Sequence, residues 1–439
     1  MSQTQACTAA QPTSSALALL PLLIYLALFV GAGVYFQAIG TDYAFYQLSP
    51  VIAILPAIII ALAMSKQRLN DSIETFMRGI GDSNIIAMCL IYLLAGAFAA
   101  VASATGGVDA TVALGLTLIP TSLLLPGIFL ISAFIATSMG TSMGTIAAVA
   151  PVALGIATQA GIDPALMAGV VLSGAIFGDN LSIISDTTIA ATRTQGAEMK
   201  DKFRENIRIA GPAAILAILL FTIAGSGQAN VETQTIELAK VAPYLTILVL
   251  AVIGLNVFLV LSIGILLAGL TALFGGDYGV MTFGQDIYQG FTNMQEIFLL
   301  SMLVGGLAAL MTQQGGLAWM TQKITSALGN STPAKAELGM GALVAATNTC
   351  VANNTVSIIV AGPVAKDLAD NNGVKPRRAA ATLDIFACII QGLIPYGAQA
   401  LLLASTFALS PLTVVAHGWY CMILAALAIG TILWRNQRG

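Results

Sequence analysis

Long apolar runs separated by short polar ones recur from one end of the chain to the other. The clearest cover residues 17–39, 49–64, 84–104, 110–137, 143–159, 165–192, 207–224, 241–274, 294–312, 338–365, 379–410 and 412–434. A helix needs about 20 residues to cross a bilayer, so most of these predict one crossing each. Three of them, 110–137, 241–274 and 379–410, are too long for one straight helix and predict two spans, or a span plus a re-entrant hairpin. Breaks are expected at Pro120, Thr121, Ser122 and Pro126, at Gly254–Asn256, and at Pro395–Gly397. The pattern predicts an all-α polytopic membrane protein of about 11–13 membrane elements. Met1–Ser15 carries no charge, and Leu17–Phe36 lacks a basic leader or a clear small-residue cleavage site. It is read as the first membrane helix rather than a signal peptide.

One polar interruption dominates. Phe177–Thr188, FGDNLSIISDTT, places Asp179 and Asp186 among Asn180, Ser182, Ser185, Thr187 and Thr188, with apolar sequence on both sides. Two acids in apolar surroundings are costly unless a bound cation or shared protons compensate them. Gly178 and the hydroxyl side chains let the backbone open and turn its carbonyls to the same point. Upstream, Thr137, Ser138, Thr141, Ser142 and Thr145 alternate with Gly140 and Gly144. That density suits either close helix packing or an unwound helix whose carbonyls face a cation. Downstream, Asn348, Asn353, Asn354 and Thr355 interrupt an apolar run, and small-residue packing does not explain three amides. Asp384 and Gln391 are seven residues apart, as are Asp179 and Asp186. Seven residues is about two turns on one helix face, so each arm is expected to present two polar groups along a transport path.

These stretches recur in the same order. LLAGAFAAVASATGG at Leu93–Gly107 matches MLVGGLAALMTQQGG at Met302–Gly316, and Thr137–Thr145 lies opposite Thr347–Thr355. Pro151 and Pro363 follow, and Asp179 then falls near Asp384. Basic residues cluster at 66–78, 193–208, 366–378 and 435–438, whereas loops 40–48, 160–164, 225–240, 275–293 and 405–413 hold only Lys240. Basic loops stay cytoplasmic, which predicts both termini inside. Each basic loop of one arm corresponds to a neutral loop of the other, so the arms are expected to be inserted upside down relative to each other. The expected boundaries are 1–65 for N-terminal helices, 66–224 for the first repeat and 225–280 for linking helices. Residues 281–410 form the second repeat, and 411–439 the last helix.

Composition narrows the function. Of 439 residues, 57% are hydrophobic and 8% charged, and the net charge is -3. No basic patch suggests nucleic acid, and the expected partner is the lipid bilayer. The five cysteines, Cys7, Cys89, Cys350, Cys388 and Cys421, have no metal-ligand spacing. His417, the single histidine, lies in an apolar segment and reads as buried or interfacial. An enzyme would want a nucleophile with a positioned base or a metal cluster, and a phosphate-driven pump would want a phosphate-binding loop. A channel would want a continuous polar lining. The Arg193–Arg208 stretch alternates with Glu198, Asp201 and Glu205 and reads as a solvated connecting helix.

The stretch Gly178, Asp179, Ser182, Ile184, Ser185, Asp186, Thr187 and Thr188 resembles the G-D-x-x-S-x-I-S-D-T-T signature of the NhaC-type Na⁺/H⁺ antiporter family. The serine/threonine-glycine run of that family is here Thr137–Thr145. The resemblance in layout covers about Ser49 to Ser410. It implies secondary active transport in a bacterial inner membrane, with Na⁺ and H⁺ as transported or coupling ions and no other cofactor. It also implies Asp179 and Asp186 with their neighbours Asn180, Ser182, Ser185 and Thr187 as cation and proton ligands. The substrate path expected from the residues themselves runs past Thr137, Ser138, Thr141, Thr145, Asn348, Asn353, Asn354, Thr355, Asp384 and Gln391. Two positions depart from the family pattern. Asn180 stands where many relatives have histidine, and Met143 where an aromatic residue is common. Relatives of similar layout move amino acids or carboxylates, so a carrier of such solutes is the alternative. Homodimers are common in the wider group.

Overall fold

The computed structural model describes residues 14–41, 47–118, 120, 123–183, 185–225, 237–275, 278–328 and 332–436. Ile184 of the signature, Thr121 and Ser122 of an expected break, and Cys7, Asp277 and Arg438 lie outside the described residues. Among those described there is no strand. The helices begin with α1 (Leu20–Ala38), α2 (Pro50–Met64), α3 (Leu69–Ile80), α4 (Ser83–Ala104), α5 (Gly107–Leu118) and α6 (Leu124–Met139). Next come α7 (Ser142–Ala160), α8 (Pro164–Leu181), α9 (Asp186–Gln195), α10 (Met199–Gly225) and α11 (Leu238–Val252). They continue with α12 (Val257–Gly275), α13 (Val280–Asn293), α14 (Gln295–Gln313), α15 (Gly316–Leu328) and α16 (Pro333–Val351). The last are α17 (Asn354–Asn371), α18 (Pro376–Leu393), α19 (Ala398–Phe407), α20 (Pro411–Ala416) and α21 (Trp419–Asn436).

Eight helical stretches among the described residues are long and apolar enough to cross a membrane, and five shorter apolar helices accompany them. The protein is an all-α polytopic membrane protein. Two of the overlong apolar runs divide where expected: α11 ends just before Gly254–Asn256, and α18 gives way to α19 across Ile394–Gly397. Helix starts follow the side-chain capping rule. Asp82 accepts from the amides of Asn84 and Ile85, and Asp163 from that of Ala165 ahead of Pro164. Asp82 is therefore a cap, which accounts for an acid at the head of an apolar helix.

The chain divides into two compact units. One comprises residues up to Gly81 together with Leu303–Gly329. Within it, α3 meets the second half of α14 through small residues: a Cβ on Gly79 would strike Ala309 and the Gly305 carbonyl, and one on Gly306 would strike Phe76. Gln314 donates to the Ala61 carbonyl at 2.7 Å, and Gln313 to Thr75 Oγ1 at 2.8 Å.

The other unit comprises Asp82–Met302 and Asn330–Gly439. In it α6 packs closely on α8, where Gly174 and Gly178 form a stripe one turn apart. A Cβ on either would meet the carbonyl of Phe129 or Ala133 on α6. Gly96 of α4 and Gly290 of α13 approach backbone to backbone in the same way.

Among the described residues of this unit, four helix breaks match one another in two pairs. Gly140 is left-handed (φ 69°) and Thr141 extended (φ −152°), while Ala352 is left-handed (φ 54°) and Asn353 extended (φ −142°). The second pair of breaks is Ser182–Ser185 and Ile394–Gly397, each beginning and ending in extended residues. All four correspondences (140 with 352, 141 with 353, 182 with 394, 185 with 397) are 212 residues apart. Gly161 and Gly373 add another left-handed match, and Pro151 and Pro363 interrupt equivalent helices. In this register Asp179 faces Gln391, Asp186 faces Ala398, and Asp384 faces Leu172. The sequence comparison that set Asp179 near Asp384 is off by seven residues. Seven residues return an α-helix to about the same face, so an apolar pattern cannot distinguish the two registers.

The expectation of a solvated helix at Arg193–Arg208 is also corrected. Lys202 is 1% exposed and Glu205 5% exposed. Glu205 gathers Arg377 (3.1 Å), Arg435 (3.4 Å) and Arg208 (3.7 Å). Its charge holds three of the basic clusters on one face of this unit.

Candidate functional site

Asp179 ends up buried because α8 is buried along nearly its whole length and does not stop until Leu181. Its carboxylate is held from two breaks at once. Oδ2 accepts from Ser142 Oγ at 2.8 Å and from the Ser142 amide at 3.3 Å, at the start of α7. Oδ1 accepts from Ser185 Oγ at 2.5 Å, and Ser185 is in turn 2.9 Å from Thr187 Oγ1 at the start of α9. In its ionised form the carboxylate accepts all these bonds. The hydroxyls can rotate, so the same three side chains can turn lone pairs toward a cation when one arrives.

Backbone-directed bonds fix the breaks against each other. Ser182 Oγ donates to the Thr137 carbonyl at 2.8 Å, and Thr137 Oγ1 donates to the Gly178 carbonyl at 3.2 Å. In the second arm Tyr396 donates to the Thr349 carbonyl at 2.5 Å. Thr349 is 212 residues beyond Thr137, so both arms tie the same helix-end carbonyl to the facing break. The left-handed Ala352 is strained relative to its counterpart Gly140, at a cost of about 1 kcal/mol.

A polar cavity of about 120 Å³ opens on Asp179. It is lined by Thr141, Ser142, Ser185, Asp186 and Thr187 from the first arm, and by Asn353, Asn354, Thr355, Gln391 and Gln399 from the second. Asn84, Met88 and Ile91 of α4 complete one wall. A space this size with so many polar neighbours holds several waters, enough for a hydrated cation or proton to reach the carboxylate. Asp179 and Asp186 are its two acids. They differ in setting, because Asp186 is exposed at the head of α9 while Asp179 is enclosed.

The remaining expected residues lie elsewhere. Thr137 and Ser182 brace the breaks, as above. Thr145 bonds its own helix at the Thr141 carbonyl, and the Ser138 carbonyl packs against Gly254. Asn348 donates to the Ala387 carbonyl at 2.9 Å. Asn180 turns toward α10, where its Oδ1 accepts from Asn206, and Asp384 pairs with Lys202. None of these seven lines the cavity.

Gln399 was missed from the sequence, and Ser142 was not separated from its run. Gln391 Nε2 donates to Gln399 Oε1 at 2.7 Å, Gln399 Nε2 to Ser142 Oγ at 3.0 Å, and Ser142 Oγ to Asp179. Every donor in this chain points toward the carboxylate, so the second arm senses the charge on the first. The signal available was positional, since Gln399 is 212 residues beyond Thr187. Replacing Gln399 with Leu is expected to weaken apparent cation affinity at Asp179 about 10-fold with little change in thermal stability. The half-saturating cation concentration measures the first, and an unfolding curve the second.

A polytopic helical protein in which broken helices converge on a buried acid is built as a secondary transporter. The chain belongs to the Na⁺/H⁺ antiporter family, which matches it over residues 3–226 and 227–434. It is similar to the Na⁺/H⁺ antiporter NhaC of Alkalihalophilus pseudofirmus, at 25% identity across 90% of this chain and 93% of that one. The malate-2H⁺/Na⁺-lactate antiporter of Bacillus subtilis is 24% identical across 92% of this chain and 94% of its own. The arginine/ornithine antiporter ArcD of Halobacterium salinarum is 23% identical across 80% of this chain and 79% of its own.

Proposed function

We propose that this protein exchanges sodium for protons across a bacterial plasma membrane by alternating access, with Asp179 as the shared binding group. The observation that carries the reading is the enclosure of Asp179 by Ser142 and Ser185, at the meeting of two helix breaks and beside a polar cavity. A proton and a sodium ion neutralise the same carboxylate, so each excludes the other, and a carrier that crosses only when neutralised performs antiport. Asp186, exposed in the same cavity, serves as the entry acid that concentrates cations near it. Asn353, Asn354 and Gln391 complete the oxygen lining from the second arm.

The inverted arrangement of arms 66–224 and 281–410, with both termini cytoplasmic, belongs to this reading. The grouping of Arg208, Arg377 and Arg435 on Glu205 supports it, because the basic loops then share one side. In a background without native cysteines, Asn371→Cys should react with an impermeant thiol reagent only after permeabilisation. Gln228→Cys, outside the described residues, should react in intact cells. External labelling of Asn371→Cys would refute the inverted plan.

The amides of Asn353, Asn354, Gln391 and Gln399 also suit a carboxylate or amino group, which favours a second reading as a carrier of small organic solutes. Vesicles containing only the purified protein separate the two. An imposed sodium gradient should drive proton movement from pH 6.5 to 8.5 without any organic solute. Silence until an amino acid or dicarboxylate is added would establish the second reading instead.

A further inference from the structure

Flanking the α8–α9 break, and outside the cavity lining, lies a second polar cluster that the exchange chemistry does not use. Lys202 Nζ is surrounded by Thr188 Oγ1 at 2.6 Å, Asp384 Oδ2 at 2.7 Å and the Asn180 carbonyl at 2.9 Å. The Asn180 carbonyl belongs to the last turn of α8, where helix carbonyls lack intrahelical partners and a positive charge is favoured. Asn206 donates to Asp384 Oδ2 at 2.8 Å and to Asn180 Oδ1 at 2.9 Å. Two further oxygens of the cluster, Asp384 Oδ1 and Asn206 Oδ1, are buried with no hydrogen-bond partner. A hydroxyl, a helix-end carbonyl and a carboxylate at a broken helix are ligands of the kind that hold a monovalent cation.

We infer that Lys202 is a tethered cation that fills the place of a second sodium ion. Its ammonium carries the charge that Asp384 and the end of α8 require, and its stem fixes that charge to α10. The α8–α9 break is thus held by one permanent cation on the α10 side and one exchangeable cation at Asp179. Lys202 is a positioning residue, because it acts on the break and not on the exchanged ion. The sodium part of this inference rests on the reading of Asp179 given above. The ligand cluster itself does not.

The test compares two variants of the purified full-length protein. Lys202→Ala removes the ammonium and leaves room beside the oxygens, whereas Lys202→Met fills the room without charge. Thermal unfolding is followed in 200 mM sodium chloride and in 200 mM choline chloride, for each variant alone and combined with Asp179→Asn. Lys202→Ala is expected to gain a sodium-dependent rise in midpoint of about 2 °C or more beyond the wild-type response. It should keep that rise with Asp179→Asn, and Lys202→Met should gain none. Equal responses of Lys202→Ala and Lys202→Met would overturn the inference. Recovery of Lys202→Ala only when sodium is present throughout purification supports it, and failure in both salts counts against it. A wild-type sodium response unchanged by Asp179→Asn alone would instead remove the reading of Asp179. The difference between Lys202→Ala and wild type would still decide the role of Lys202.

Discussion

Asp179→Asn is expected to reduce sodium-driven proton flux by about 100-fold or more while the protein remains folded in the membrane. The carboxylate is the one enclosed charge at the cavity, since Asp186 is exposed and Gln391 occupies the equivalent place in the other arm. A cation about 4 Å from a unit charge gains about 4 kcal/mol at an effective dielectric near 20, nearly three decades of affinity. Asparagine keeps the size, and its amide oxygen can still accept from Ser142 while its nitrogen donates to the Ser185 hydroxyl, so packing should change little. It cannot release a proton. Flux in reconstituted vesicles measures the loss, and a size-exclusion profile confirms the fold. Near-wild-type flux would make Asp179 a structural acid.

The second large effect concerns stability. Asp384→Ala should lower the unfolding midpoint by about 5 °C or more, because it strands the Lys202 ammonium in a site where both partners are no more than 1% exposed. Removing one partner of a buried pair costs about 3–5 kcal/mol, whereas replacing both with apolar groups is often neutral. Asp384→Leu with Lys202→Met should therefore recover much of the loss seen in either single variant. Thermal unfolding of the two singles and the double in one salt gives the coupling directly. Additive losses would mean that the two side chains do not depend on each other.

How much of this was legible in the sequence depends on the type of signal. The breaks at Thr137–Thr145, Asn348–Thr355 and Phe177–Thr188 were visible because hydroxyls and amides interrupt apolar helices, where each polar side chain needs a reason. Thr141, Asp179, Ser185, Asp186, Thr187, Asn353, Asn354, Thr355 and Gln391 all reach the cavity. Thr137 and Ser182 come from the same stretches but serve the backbone instead, a division set by where each side chain points and not by residue type. Lys202 and Asn206 were hidden among charges that alternate as on a solvated face. Only the packing of α10 against α8 and α18 shows that this face is covered. Asp384 was misplaced by two helical turns, for lack of a marker inside α18. The left-handed Gly140 and Ala352, which set the register, are backbone conformations that no residue type announces when alanine, at some cost in strain, takes the place of glycine.

The claim that one carboxylate serves both ions is tested most directly by proton release on sodium binding. Sodium chloride is added to the detergent-solubilised protein in weakly buffered solution at several pH values, with choline chloride as the control, and the change in pH is recorded. Competition at Asp179 requires the wild-type protein to release protons on sodium addition, with half-saturation moving to higher sodium as the pH falls. Asp179→Asn should release none. Equal release from Asp179→Asn, or none from the wild-type protein at any pH, would contradict a shared site at Asp179.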